Sequence, residues 1–197
     1  MARTGRPRVF DKELAISKAM VLYWEHGFES TSLAQLKEAM GISSASFYAA
    51  FGSKENLFKE VIDRYNTSYG KVTDCLSDTS IKSKVAIEKT LRQTAKMQTD
   101  SSHPTGCMLV LSANVCSEKN NHVRDLVFKE RSLVRLNLEE CIIRGQENGD
   151  ITREVKADVL CTLIEAFMYG ISTQARDGIS YKSIDQAITQ IIKTCDI

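Results

Sequence analysis

The sequence predicts an all-α fold of about nine helices, a small N-terminal unit followed by a larger helical bundle. Three observations carry that expectation. Only two prolines, Pro7 and Pro104, interrupt the chain of 197 residues. The ten glycines fall mostly between segments in which apolar residues recur at three- and four-residue spacing, the period of a helix face. With 43% hydrophobic and 26% charged residues, the composition is that of an ordinary folded domain and not of a disordered one.

The elements follow in order. The opening "MARTGRPR" holds Arg3, Arg6 and Arg8 with no acidic residue, and reads as a flexible basic arm. Asp11 can cap a first helix over Lys12 to His26, where Ala15, Ala19, Leu22 and Tyr23 recur at helical spacing. Gly27 ends it. The stretch Ser30 to Ser32 offers N-caps for a second helix, and Ser32-x-x-Gln35 fits a capping box. That helix runs to about Met40, where Gly41 permits a tight turn into a third, Ser43 to Ala50. Gly52-Ser53 breaks it, and Lys54 begins a fourth helix expected to reach Leu76.

Two short helices joined by a glycine-containing turn and packed on a longer first helix form a helix-turn-helix. The second short helix of that motif lies in the major groove, so it must be slender and offer small polar groups to base edges. Ser43, Ser44, Ala45 and Ser46 meet that need, since the hydroxyls can donate or accept and Ala45 can touch a thymine methyl. Phe47 and Phe51, four apart, would face inward, while Tyr48 points outward toward a phosphate. Lys54 adds charge at a helix N-terminus, where backbone amides already favour an anion, and Thr31 and Ser32 can do likewise. Arg6 and Arg8 complete the phosphate-facing set. The net charge is only +1, so any basic patch must be local.

The segment "TSLAQLKEAMGISSASFYAAFGSKENLF", Thr31 to Phe58, resembles the DNA-binding segment of TetR-type transcriptional repressors. The resemblance rests on Thr31, Gly41, the small polar run Ser43 to Ser46, the pair Phe47-Tyr48, Phe51 and Ser53-Lys54-Glu55. It covers about 50 residues, Phe10 to about Glu60, including the "HGFESTS" lead-in. Many relatives carry Lys then Gly where this chain has Ser44 and Ala45, a departure that bears on base preference. The resemblance implies a DNA-binding domain over residues 1–54, and a ligand-binding and dimerisation domain over 55–197. It also implies a homodimer on a palindromic double-stranded operator and an unknown small-molecule or electrophile effector that releases it. Two reading helices about 34 Å apart would match successive major grooves. The rival reading is a helical interaction or scaffold protein without sequence-specific DNA binding.

Beyond Ile81 periodicity continues. Ile87, Leu91 and Ala95 mark one helix, Cys107 to Val115 a short apolar one, and Val123 to Ile142 a long one ending near Gly149. The last two are the most regular. The resemblance makes their apolar faces, Ile164, Met168 and Ile171 with Ile184, Ile188, Ile191 and Ile192, the expected dimer interface, with intramolecular core as the alternative. Cys107, Leu111, Cys116, Phe128, Phe167, Met168 and Tyr169, together with Met97, are candidates for an effector pocket or thiol switch. Cys107 follows Gly106 at an apparent helix N-terminus, where the dipole is expected to favour thiolate.

His103, Cys107, Cys116 and His122 match no tight zinc spacing, so no metal is expected, nor any cofactor. No phosphate loop, nucleotide fingerprint or nucleophile elbow occurs, so an enzyme is not expected. Without an N-terminal apolar segment the chain is expected to be cytoplasmic, its six cysteines reduced and no membrane engaged.

Overall fold

The computed structural model describes residues 10–113 and 116–196, and the arginines of the basic arm lie outside the described residues. The described chain is helical throughout. The head consists of α1 (Lys12–Ser30), α2 (Leu33–Met40) and α3 (Ser44–Phe51), and α4 (Lys54–Asn66) leads out of it. The bundle follows as α5 (Ser83–Gln98), α6 (Met108–Leu111), α7 (Asn121–Asn148), α8 (Ala157–Arg176) and α9 (Tyr181–Ile191). Short 3₁₀ segments, Tyr69–Ser77, Glu118–Asn120 and Ile192–Cys195, link or extend them.

Local chemistry sets the head's boundaries. Asp11, Ser32, Ser43 and Ser53 each sit at an N-cap in extended conformation and accept a backbone N–H three residues on. Ser32 and Gln35 form the reciprocal capping box. Gly41 closes α2 in the left-handed region (φ 68°, ψ 38°) and turns the chain into α3. The first helix departs from its expected end. It breaks at Gly27 (φ 79°, ψ 168°) and then adds a further turn to Ser30.

The fourth helix is also shorter than expected. It stops at Asn66: the Ser68 hydroxyl donates to the Arg64 carbonyl that the helix ladder would use, the Ser68 N–H turns to the Tyr65 carbonyl instead, and the chain tightens into the 3₁₀ segment. The short apolar helix covers only Met108–Leu111, and Val115 lies outside the described residues.

Two hydrophobic cores result. The first begins with Tyr23, Trp24 and Phe28 on α1 and takes in Phe47, Leu57, Phe58 and Val61. It continues past the head to Met108, Leu109, Val123 and Val127. The second joins α5, α7, α8 and α9 through Ile87, Leu91, Cys141, Ile164 and Ile188. Here the interface expectation is corrected. Ile164, Ile171, Ile184, Ile188 and Ile192 are buried within the single chain, and Ile191 and Met168 pack against the same cluster. An apolar helix face looks the same in sequence whether its partner is in the same chain or another.

Candidate nucleic-acid interface and effector cavity

On α3 the inward and outward faces separate cleanly. Phe47 and Phe51 are buried, their ring centroids 5.5 Å apart, and hold the helix on the head. Ser43, Ser44, Ala45, Ser46, Tyr48 and Ala49 are exposed. The Ser43 hydroxyl accepts the Ser46 N–H at 3.1 Å and lies 3.0 Å from the Ser46 hydroxyl. Lys37 of α2 reaches across the turn and donates to Ser44 Oγ at 2.7 Å. A cation thus stands on the otherwise uncharged face. Sequence reasoning passed over Lys37 because the contact depends on the angle between two helices.

Two expected phosphate contacts are corrected. Thr31 is buried, and its hydroxyl donates to the Gly27 carbonyl at 2.6 Å, locking the break in α1. Ser32 is the exposed member of the pair. Lys54 turns inward: its Nζ donates to the Phe28 carbonyl at 2.7 Å and lies 4.2 Å from the Phe28 ring centroid. Desolvation, opposed by Glu29 and Glu55, holds the Lys54 pKa below its ordinary value.

The head is moored to the bundle at the end of α1. Phe28 N–H donates to the Ser112 carbonyl at 2.7 Å, and Trp24 Nε1 to the Gly106 carbonyl at 3.0 Å. Arg176, at the end of α8, donates to the carbonyls of Trp24, Glu25 and Thr105. The His103 ring stacks on Trp24 with centroids 4.6 Å apart. The carbonyls of Gly106 and Ser112 that accept from the head flank α6, and a third attachment comes from Arg176 at the end of α8.

Beneath this mooring lies a cavity of about 220 Å³ between α4, the 3₁₀ segment after it, and α5 to α8. Of the expected lining residues it includes Met97, Cys107, Met168 and Tyr169. It excludes four others. Leu111 packs toward Gly106, Cys116 packs against the first core, Phe128 is 61% exposed, and Phe167 packs on the second core. The cavity wall also holds Tyr65, Asn66, Glu130, Arg131 and Glu165, which lie too far apart in sequence to be grouped by spacing.

Tyr65 donates its hydroxyl to Cys107 Sγ at 3.3 Å, so the last turn of α4 touches the entry to α6 inside the cavity. Burial raises the Cys107 thiol pKa above its ordinary value, against opposing contributions from the Tyr65 hydroxyl and the Val110 and Leu109 amides. The expected thiolate-favouring dipole is therefore corrected: α6 has four residues, and desolvation outweighs its end. Tyr169 donates to Glu165 at 2.8 Å, and burial followed by that carboxylate pushes its phenol up to about 12. Among the described residues no cluster of three or more His, Cys, Asp or Glu is placed to hold a metal, and no helix is long and apolar enough to cross a membrane.

Comparison with known proteins agrees with this geometry. Residues 15–61 match the family described as "Bacterial regulatory proteins, tetR family". The chain is 30% identical over 185 residues to the HTH-type transcriptional repressor ComR of Escherichia coli (strain K12), covering 92% of this chain and 87% of ComR. It is 29% identical to the HTH-type transcriptional repressor BdcR of the same strain, over 91% of this chain and 86% of BdcR. A solved structure of a cysteine mutant of the TetR family transcriptional regulator CifR, complexed with 26-base-pair double-strand operator DNA, superposes with a TM-score of 0.88. It is 33% identical and covers 95% of this chain and 98% of that one. With a reading helix capped and exposed on a three-helix head, and with relatives matched over nearly their whole length, the chain belongs to the TetR family of transcriptional regulators.

Proposed function

We propose that the chain is a homodimeric repressor that binds a palindromic operator through α3 and releases it when an effector fills the cavity or reacts at Cys107. The observation that carries this reading is the exposed face Ser43 to Ser46 and Tyr48, backed by buried Phe47 and Phe51. Ser44, Ala45 and Ser46 read base edges, and Tyr48, Ser32 and Lys37 position the head on phosphates. Arg6 and Arg8, on the arm outside the described residues, add the remaining charge. Residues 1–54 serve as the reading domain and 55–197 as the sensing and pairing domain. The chain has no catalytic role.

The dimer face is the outward side of α8. Val159 and Leu163 are 52% and 42% exposed, and with Ala166 and Gly170 they make a stripe at helical spacing. A Cβ built on Gly170 meets nothing within 4 Å, so a second helix has room to approach closely there. Release follows from the connectivity. Tyr65 and Cys107 join α4 to α6 within the cavity, and Ser112, just after α6, holds Phe28 at the root of the head. An effector that displaces the Tyr65–Cys107 contact shifts α4 and the Ser112 attachment of the head, and it lowers operator affinity by its differential affinity for the two arrangements.

A gel shift on DNA upstream of the protein's own gene, with and without a thiol oxidant and with Cys107→Ser alongside, tests the reading. Specific binding lost on oxidation in the parent protein and kept in the variant assigns release to the thiol. Specific binding indifferent to oxidant assigns it to a noncovalent ligand. A genome-wide selection that recovers no specific site overturns the repressor.

A further inference from the structure

We infer that the cavity takes a small, uncharged molecule with an apolar body and one polar group that both donates and accepts a hydrogen bond, an alcohol or a carboxamide. The inference rests on the reading of this cavity as the effector site and names the chemistry that the site selects. Its starting point is the α5 wall. Thr94 and Gln98 are four residues apart, one turn of helix, and both line the cavity. Each is more than nine-tenths buried, and Thr94 Oγ1 and Gln98 Oε1 make no hydrogen bond within the protein. Buried polar groups are nearly always satisfied, so two such groups on one face of one cavity point to a ligand that completes them.

The charged groups of the wall are held by neighbours or by solvent. Arg131 Nη1 donates to the Leu109 carbonyl at 2.7 Å, and Arg135 pairs with Glu165. Glu130 accepts from Asn66 Nδ2 at 2.9 Å, Glu165 also accepts from Tyr169, and Asp74 is exposed to solvent. Both signs of charge therefore already have partners or water. A charged group brought against Thr94 and Gln98 would lose its hydration to two neutral side chains, whereas an uncharged polar group loses far less. A hydroxyl or carboxamide asks only for a donor and an acceptor, which the Thr94 hydroxyl and the Gln98 carboxamide supply. Leu109, Val134, Leu138 and Met168 receive the apolar body. An apolar cavity of about 150 Å³ is known to hold benzene, so 220 Å³ accommodates a ring with one small substituent.

Isothermal titration of the full-length protein with benzyl alcohol, benzamide, benzoate, benzylamine and toluene separates these chemistries at nearly constant size. The alcohol and the amide should bind at least about tenfold more tightly than benzoate or benzylammonium, and more tightly than toluene. Thr94→Val and Gln98→Met, each with its fold checked by circular dichroism, should weaken the alcohol several-fold and leave toluene unchanged. Gln98→Glu should shift preference toward benzylammonium. Equal or tighter binding of the charged probes, indifference to all three substitutions, or no binding of any probe at millimolar concentration overturns the inference. If the alcohol binds with this dependence while operator affinity stays constant, the ligand class stands and the effector-site reading falls.

Discussion

Gly27 is where the head meets the bundle, and replacing it tests whether that contact is structural. Its backbone angles, φ 79° and ψ 168°, lie in a region essentially confined to glycine. A Cβ there would stand 3.0 Å from the Ser112 carbonyl oxygen, the same oxygen that accepts the Phe28 N–H at 2.7 Å. Holding an L-residue in that conformation costs about 1–3 kcal/mol. Disturbing the Phe28–Ser112 bond adds about 1 kcal/mol. Gly27→Ala should therefore destabilise the protein by about 2–4 kcal/mol, and for a chain of this size that lowers Tm by about 10 °C. Gly149→Ala is the control. Gly149 also has positive φ (76°), but a Cβ there meets nothing within 4 Å, so its cost is the backbone term alone, about 1 kcal/mol. Thermal unfolding followed by helical circular dichroism at fixed protein concentration compares the two. Equal losses in the two variants would refute the mooring of the head on Ser112.

Other outcomes follow from single side chains. Ser43→Ala removes the N-cap of the eight-residue α3 and should cost about 1 kcal/mol, seen as faster hydrogen exchange confined to α3 and weaker operator binding; unchanged exchange would contradict it. Thr94→Val removes a buried hydroxyl that has no protein partner and keeps the branched shape, so it should stabilise the ligand-free protein by about 1 kcal/mol in urea titration. A loss of stability there would mean that the hydroxyl is satisfied. Burial raises the thiol pKa values of Cys107, Cys141 and Cys195, and pushes Cys161 from 9.0 to about 11. A raised thiol pKa means that the folded state holds the proton more tightly. This contribution is complete below about pH 9 and is lost as pH rises toward about 11. The urea midpoint should fall through that window, and less so in Cys161→Ala; an identical fall in both would mean that Cys161 contributes nothing to it.

The head was legible in the sequence because its signals are local. Asp11, Ser32 with Gln35, Gly41, Ser43 and Ser53 each act within three residues of themselves, and each stands at the helix boundary where its chemistry belongs. What escaped depends on distant partners. Thr31 carries the same hydroxyl as Ser32 but faces inward, and it donates to a carbonyl inside α1 that no spacing rule reveals. Lys54 finds the Phe28 carbonyl 26 residues away. The isoleucines of α8 and α9 carry a regular apolar period that fits an intersubunit face and an internal core equally, and α5 takes them up. The cavity combines Tyr65, Thr94, Gln98, Cys107 and Glu165 from three helices and the entry to α6, so only their assembly in space makes a site of them.

Whether α3 reads bases is tested most directly by fluorescence anisotropy on the selected operator and on an unrelated duplex of equal length at one salt concentration, for the parent protein and for Ser44→Ala/Ser46→Ala. The parent protein should prefer the operator by at least about 10³-fold. The double variant should lose at least about tenfold of that preference while its affinity for the unrelated duplex is unchanged. Equal affinity for both duplexes in the parent protein, or an undiminished preference in the variant, would contradict base reading by α3.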